Sequence, residues 1–316
     1  MKFPPLDPAK VTTYPLDQRK SKITADVLGS VWQPGGRFRD FLVSLPQTLA
    51  AADLREIVQR IALAVKAQRP VVLGMGAHPI KVGLSPLIID LLERGVVSAV
   101  AMNGAGIIHD FEMAYQGQTS EDVAQALADG SFGMARETGG FLNEAIRVGV
   151  RENGGGLGHA VGAKILADQL PYGQLSILAT CVRLAVPACV HVTVGADIIH
   201  MHPQTDGAAI GEGSLRDFYR LAGVVAQLEG GVFLNLGSAV VIPEVFLKAL
   251  SLARNLGHTV KDFTTVDLDF IRQYRPTMNI VTRPTLGGGR GFQLTGHHEI
   301  MFPLLCAAVL EETALP

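Results

Sequence analysis

Short apolar runs alternate with amphipathic helical segments from about residue 52 onward, and this alternation limits the fold more than any other feature. Residues 52–68 carry apolar side chains at helical spacing as far as Arg69-Pro70, and an apolar run from Val71 to Leu73 follows until Gly74. A strand buried on both faces has this continuous apolar character. We therefore predict an α/β fold with a doubly wound, mostly parallel sheet and helices on both faces. The predicted helices cover 52–68, 79–94, 215–228, 243–255 and 299–311, with a mainly helical section over 120–168 that breaks at 154–156, and the predicted strands cover 71–73, 97–102, 188–194, 232–236, 259–266 and 291–295.

The chain reads as one domain with an N-terminal extension. Glycines and prolines are scattered as turns, and no linker-like tract or repeat of fixed period divides the 316 residues. We predict a single α/β domain over residues 1–316. Residues 1–40 are polar and rich in turn-forming residues, and we expect them to form an arm that lies over the domain or reaches a neighbouring subunit.

Composition excludes several classes of protein. The chain is 48% hydrophobic and 18% charged, with a net charge of -2 and no cluster of Lys and Arg, so we expect no nucleic-acid partner. Its apolar stretches are too short or too interrupted to span a bilayer, and the N-terminus lacks the apolar core of a secretory signal. Cys181, Cys189 and Cys306 lie in apolar runs without a CxxC pair, which favours buried thiols in a reducing compartment. We predict a cytoplasmic protein that binds a small molecule and no membrane.

Two loops that follow predicted strands are rich in glycine. The loop from Gly74 to Pro79 includes Gly76 and His78 and leads into a helix, an arrangement that lets backbone N–H groups approach an anionic ligand. It lacks the third glycine of the dinucleotide-binding fingerprint, so a tight turn remains an equal alternative. The loop of residues 103–106 precedes His109-Asp110, which either form an orienting pair or include an aspartate that caps a helix.

Two further loops are rich in His and acidic residues. In the loop of residues 197–212, His200 and His202 point the same way if the segment is extended. Together with Asp197 or Asp206 they form a metal-ligand set or a general acid–base pair. Near the start of the last helix, His297, His298 and Glu299 supply either two ligands and a base or a helix cap. The proposed catalytic residues are His200, His202, Asp206, Glu212, His297, His298 and Glu299.

The order of these loops resembles that of deoxyhypusine synthase over about residues 71–311. Residues 72–93 resemble the strand, loop and helix that begin the family's NAD site, residues 99–110 its Thr-Ala-Gly-Gly loop and terminal Asp, and residues 296–305 (GHHEIMFPLL) its closing segment. Further matches are 186–197, 234–257 and 263–265. The resemblance implies a Rossmann-type fold, NAD or NADP as cofactor and a homo-oligomer, most simply a tetramer. The cofactor-binding residues that it implies are Gly74, Gly76, Ala77, His78, Asn103, Gly104, Ala105, Gly106, Asp110, Asp197, Gly237, Ser238 and Thr265.

The family's imine-forming lysine is missing. Its Trp-Gly-Lys segment corresponds here to residues 281–285, which contain neither Trp nor Lys, and no lysine follows Lys261. The family's catalytic His falls near Pro243-Glu244 and is also missing. Arginine cannot replace a lysine in Schiff-base chemistry. We therefore expect an NAD(P)-binding enzyme that acts on a small metabolite without a lysine imine, by hydride transfer to or from an amine or alcohol. The alternatives are a metal-dependent hydrolase or lyase that uses His200, His202 and His297 as ligands, and a non-catalytic ligand-binding descendant.

Overall fold

The computed structural model describes residues 2–313, which divide into two compact units at residues 52 and 53. The first unit contains three short 3-10 turns, Pro8–Lys10, Leu16–Gln18 and Ala25–Val27, and one helix, α1 (Phe38–Ser44). Most of its residues are exposed, in keeping with their polar, turn-rich sequence.

The second unit is built on a six-stranded sheet in which every pair of neighbouring strands is parallel. The strand order is β3-β2-β1-β4-β5-β6, so the chain runs outward from β1 in one direction and then from β4 in the other. The prediction of a doubly wound parallel sheet is therefore confirmed. The strands are β1 (Val71–Met75), β2 (Ala99–Asn103), β3 (Ala188–His191), β4 (Val232–Leu236), β5 (Thr264–Asp269) and β6 (Arg290–Thr295).

Helices connect the strands. Among residues 2–313, no helix is both long and apolar enough to cross a bilayer. The helices are α2 (Leu49–Lys66), α3 (His78–Lys81), α4 (Ser85–Glu93), α5 (Gly104–Gln116), α6 (Val123–Leu127), α7 (Arg136–Arg151), α8 (Leu157–Ala167), α9 (Ile177–Arg183), α10 (Gly207–Val225), α11 (Val241–Asn255), α12 (Tyr274–Pro276), which continues into a π-helical segment over Thr277–Thr282, and α13 (His298–Thr313).

The core lies against the sheet. Phe233 of β4 and Phe246 of α11 stack with ring centroids 4.0 Å apart. The glycine at position 74 lets α11 pack closely on β1, because a Cβ there would lie 2.6 Å from the Ile242 side chain. All three cysteines are buried and free, as their apolar surroundings predict.

Several predicted boundaries differ from the structure: the strand predicted over 188–194 ends at His191, and the helix predicted over 215–228 begins at Gly207. The predicted helix over 79–94 is two helices, because Gly83 has φ +81 and interrupts the helical backbone. The predicted loop of residues 103–106 is instead the start of α5, where the Asn103 side chain caps the helix by accepting from the N–H of Gly106 at 3.2 Å. The strand predicted over 259–266 lies further along the chain in the structure, where β5 covers Thr264–Asp269.

Candidate functional site

The strand order reverses between β1 and β4, and ligands of doubly wound folds bind at the carboxyl ends of the strands near this point. Gly76 follows β1 and donates its N–H to the carbonyl oxygen of Leu236, at the end of β4, over 3.1 Å. A Cβ at Gly76 would lie 2.5 Å from the carbonyl oxygen of Gly237. The two loops therefore touch, and this contact accounts for the glycine.

His298 fills the space beside Gly237. The residue at 237 has φ +66, and a Cβ there would lie 2.5 Å from the His298 ring. The Nε2 of His298 lies 3.2 Å from the carbonyl oxygen of Leu268 and 3.8 Å from a carboxylate oxygen of Asp269. The ring of His78 lies 5.4 Å away between centroids. Protein side chains therefore occupy the reversal point, and burial lowers the pKa of the His298 imidazole.

A cavity of about 480 Å³ lies beside the segments that follow β2 and β3. Its walls come from α3, from α5, from the loop between α5 and α6, from the start of α7 and the residues before it, and from the segment after β3. The side chains that line it include Lys81, Ala105, Ile108, His109, Glu112, Thr119, Glu121, Thr138, Asp197 and Ile198. This volume is in the range of small-molecule sites.

Asp197 lines the cavity and has one unpartnered carboxylate oxygen, which lies beside Gly104. The residue is 8% exposed, and its Oδ2 finds no hydrogen-bond partner among residues 2–313. A Cβ on Gly104, the first residue of α5, would lie 1.9 Å from this oxygen. Burial raises the pKa of Asp197 to about 6, so the side chain is mostly ionised at pH 7. The carboxylate therefore keeps a hydrogen-bond acceptor that the described residues leave unused.

A hydrogen-bonded network lines the α5 wall of the same cavity. The Thr119 hydroxyl lies 2.6 Å from the Nδ1 of His109 and donates to Glu112 over 2.5 Å. The other carboxylate oxygen of Glu112 accepts from the Thr138 hydroxyl at 3.0 Å. Burial and the nearby Lys81 ammonium lower the pKa of His109 to about 4. Its imidazole is therefore neutral at pH 7.

Glu112, Thr119 and Thr138 of this network are not among the site residues predicted from the sequence. Glu112 follows His109 by three residues on one helix, so helical spacing alone places the two side chains together. Thr119 and Thr138 lie outside α5, and no sequence pattern connects them to it. His109 was expected either to pair with Asp110 or to neighbour a capping residue. The structure shows capping, because Asp110 accepts from the hydroxyl of Ser176, the N-cap of α9, at 2.5 Å.

The loop of residues 197–212 is not extended. Ile198–Met201 is a 3-10 turn, so the condition under which His200 and His202 point the same way is not met. The His200 Nδ1 accepts from the N–H of Gly195 at 3.2 Å. The His202 Nε2 lies 2.8 Å from the carbonyl oxygen of Gly133. The two imidazoles therefore hydrogen-bond to different backbone segments, that of His200 at Gly195 and that of His202 at Gly133.

Two acidic residues of that loop, Asp206 and Glu212, form contacts that stabilise α10. Asp206 caps α10 by accepting from the N–H of Ala209 at 3.0 Å, and Arg151 forms an ion pair with it at 2.8 Å. Glu212 forms an exposed ion pair with Arg216 one helical turn away. Neither acid lines the cavity described above.

The remaining predicted residues lie in several places. Thr265 is the second residue of β5 and pairs with Phe233, so it lies toward the amino end of the strand, away from the reversal point. His297 is exposed, with Glu299 3.9 Å away. The Ser238 hydroxyl accepts from the N–H of Ile242 at 3.2 Å. Within residues 2–313, no group of three His, Cys, Asp or Glu side chains is arranged to hold a metal ion, so His200, His202 and His297 do not form such a set.

His191, the last residue of β3, should make the stability of the protein depend on pH. It is 4% exposed, and burial lowers the pKa of its imidazole to about 4 from 6.5. A folded-state pKa below the unfolded value means that its contribution is present above pH 6.5 and is lost as the pH falls toward 4. Between pH 7.5 and 5, the wild-type protein should lose about 2 kcal/mol of unfolding free energy relative to His191→Asn. Urea unfolding measures this difference. Equal pH dependence of the two proteins would contradict it, and His258→Asn, at an exposed position, is the control.

The comparison with known proteins finds likeness in structure and none in sequence. No protein-family model matches the chain, and no curated protein matches it. The apo structure of ArgZ, an arginine dihydrolase from the ornithine–ammonia cycle in cyanobacteria, aligns with a TM-score of 0.52 and 16% identity over 84% of this chain and 33% of that one. A ternary complex of AgrE with ornithine and NAD+ aligns with a TM-score of 0.53 and 14% identity over 83% of this chain and 33% of that one.

A third structure aligns over nearly the whole length of both chains. A putative deoxyhypusine synthase from Entamoeba histolytica aligns with a TM-score of 0.52 and 12% identity, over 91% of this chain and 96% of that one. By contrast, the chain spans only about one third of the length of the ArgZ and AgrE chains. At these identities the likeness establishes the fold alone. The protein has a doubly wound α/β fold that it shares with deoxyhypusine synthase-like and NAD-binding proteins.

Proposed function

We propose that this protein is an NAD(P)-binding enzyme that acts on a small metabolite without a lysine imine. The observation that carries the proposal is the buried, unpartnered carboxylate oxygen of Asp197 in the wall of the 480 Å³ cavity. Doubly wound folds bind dinucleotides at this edge of the sheet, and an acidic side chain there commonly accepts from the ribose hydroxyls. The fold likeness to AgrE, which was solved in complex with NAD+, supports the same ligand class.

The residues around the cavity fit a nicotinamide dinucleotide. Asp197 would accept from ribose hydroxyls, and Ala105 in the first turn of α5 would contact the nucleotide beside it. The cap residue Asn103 fixes the start of α5, and Gly104 leaves room for the Asp197 carboxylate. From there the nucleotide would extend through the cavity toward His109. When bound, NAD(P)+ accepts a hydride, and the protein supplies binding and proton transfer.

The cavity contains one lysine, Lys81, and its setting suits ion pairing better than imine formation. An imine-forming lysine needs a desolvated environment that lowers its pKa. Lys81 is exposed on α3. We therefore assign it the role of a cation that attracts an anionic group.

The assembly of the protein as a homo-oligomer, and as a tetramer in particular, stays a prediction.

Titration calorimetry of untagged protein with NAD+, NADH, NADP+ and NADPH tests the proposal. We expect saturable binding of at least one of the four at one site per chain. Absence of binding by all four would overturn the proposed function. Binding without oxidation or reduction of the nucleotide in the presence of panels of small alcohols and amines would favour the non-catalytic alternative.

A further inference from the structure

The polar network on the α5 wall fixes where the proton of His109 lies. A threonine hydroxyl carries a single proton, and that of Thr119 is donated to Glu112. At 2.6 Å, the Thr119 oxygen must then accept from His109, so the imidazole carries its proton on Nδ1. Because the ring is neutral, its Nε2 holds a free lone pair.

Both carboxylate oxygens of Glu112 accept hydrogen bonds within this network. One of its oxygens accepts from Thr119 and the other from Thr138. A carboxylate that only accepts is the ionised form. The order carboxylate, hydroxyl, imidazole places a negative charge 3.9 Å from the Nδ1 of His109, where it stabilises an imidazolium.

Lys81 stands at the same cavity without an ion-pair partner among residues 2–313. Burial of His109 and, to a smaller extent, the Lys81 ammonium lower the pKa of the imidazole. An anion bound to Lys81 would cancel its effect on His109. The other charged groups that line the cavity are the carboxylates of Glu112, Glu121 and Asp197, whose sign is the one that favours a charged imidazole. His109 should therefore become a stronger base when an anionic ligand is present.

We propose that His109 accepts a proton at Nε2 from the hydroxyl or ammonium group of an anionic substrate, such as a hydroxy acid or an amino acid, whose anionic group binds Lys81. This inference rests on the proposed function, and it deepens it by naming a proton acceptor and a substrate class. The O–H or N–H bond of the substrate breaks, and an N–H bond forms at Nε2. The resulting imidazolium keeps its Nδ1–H bond to Thr119 and later releases the Nε2 proton to solvent through the cavity. Thr119 and Glu112 are positioning residues.

Nuclear magnetic resonance of ¹⁵N-histidine-labelled protein tests the proton position directly, with the His109 signal assigned by its loss in His109→Asn. The wild-type protein should carry the His109 proton on Nδ1. Thr119→Val should move most of the population to the Nε2–H form, whereas Thr138→Val, which leaves the Thr119 contact in place, should not. A wild-type His109 protonated on Nε2, or no change in Thr119→Val, would overturn the inference.

Glycolate, a small hydroxy acid, is the probe for the substrate class. Adding glycolate should raise the pKa of His109 in the wild-type protein and leave it unchanged in Lys81→Met. Equal responses of the two proteins, or no response in either, would overturn the assignment of an anionic substrate.

The outcomes separate this inference from the proposed function. If a nicotinamide nucleotide binds while His109 is protonated on Nε2, the proton acceptor is wrong and the proposed function stands. If no nucleotide binds while His109 has the Nδ1–H form and responds to glycolate, the proposed function is wrong and the description of this site stands.

Discussion

Replacing Asp110 by alanine should lower the free energy of unfolding by about 3 kcal/mol at pH 7. Asp110 is fully buried on α5, and its carboxylate accepts from the Ser176 hydroxyl at 2.5 Å and from the N–H groups of Ile177 and Leu178 at 2.7 and 3.3 Å. These groups begin α9, where no residue of the same helix can satisfy them. Alanine would leave all three donors buried without an acceptor.

Burial of Asp110 destabilises its ionised carboxylate, which offsets part of the stability that these hydrogen bonds contribute. It raises the pKa of Asp110 to about 6, which shows that the ionised form is costly to bury. Urea unfolding at pH 7 measures the balance. The control is Asp168→Ala, which removes only an exposed ion pair with Lys164 at 2.9 Å and should cost less than about 0.5 kcal/mol. A loss of stability in Asp110→Ala no greater than in this control would contradict the capping role.

Replacing Asp197 by alanine should weaken binding of the nicotinamide nucleotide about 10- to 100-fold. Two ribose hydroxyls that donate to an ionised carboxylate contribute about 1.5–3 kcal/mol, and this range corresponds to that loss. The folded protein should tolerate the change, because Asp197 Oδ2 has no partner within residues 2–313 that would be left unsatisfied. Titration calorimetry of both proteins with the nucleotide that binds the wild type measures the ratio of dissociation constants.

Asp206→Ala is the matched control for that measurement. Asp206 lies in the same loop, but it caps α10 and pairs with Arg151 outside the cavity. Its replacement should change nucleotide affinity by less than about twofold, although loss of the cap should lower stability by about 1 kcal/mol. An Asp197→Ala protein that binds the nucleotide as tightly as the wild type would contradict the assignment of the ribose site.

The sequence predicts a strand well where apolar residues dominate it. The strand at Val232–Leu236 matches the predicted bounds, because four of its five residues are apolar. The strand predicted over 259–266 ends before β5 does, because Asp267 and Asp269 interrupt the apolar pattern of β5. Asp267 is nevertheless buried, since it accepts from Asn235 of β4 at 2.8 Å and from Gln293 of β6 at 3.1 Å. These partners come from strands that are distant in sequence, so no local pattern reveals them.

The site is less predictable than the sheet for the same reason. The strand-end loops identify Asp197 and the start of α5, because the carboxyl ends of parallel strands meet at one edge. His200 and His202 point the same way only in an extended segment, and Ile198–Met201 forms a 3-10 turn instead. Conversely, Thr119 joins His109 across ten residues and a helix end. Such contacts depend on tertiary packing, which spacing in the sequence does not describe.

A crystal structure of the protein grown with NAD+ would show whether a nucleotide binds beside Asp197. We expect a dinucleotide along the carboxyl ends of β2 and β3, with a ribose hydroxyl about 3 Å from the Asp197 carboxylate and the nucleotide in contact with Ala105. A nucleotide bound elsewhere on the protein, or a cavity without nucleotide at saturating NAD+, would contradict it.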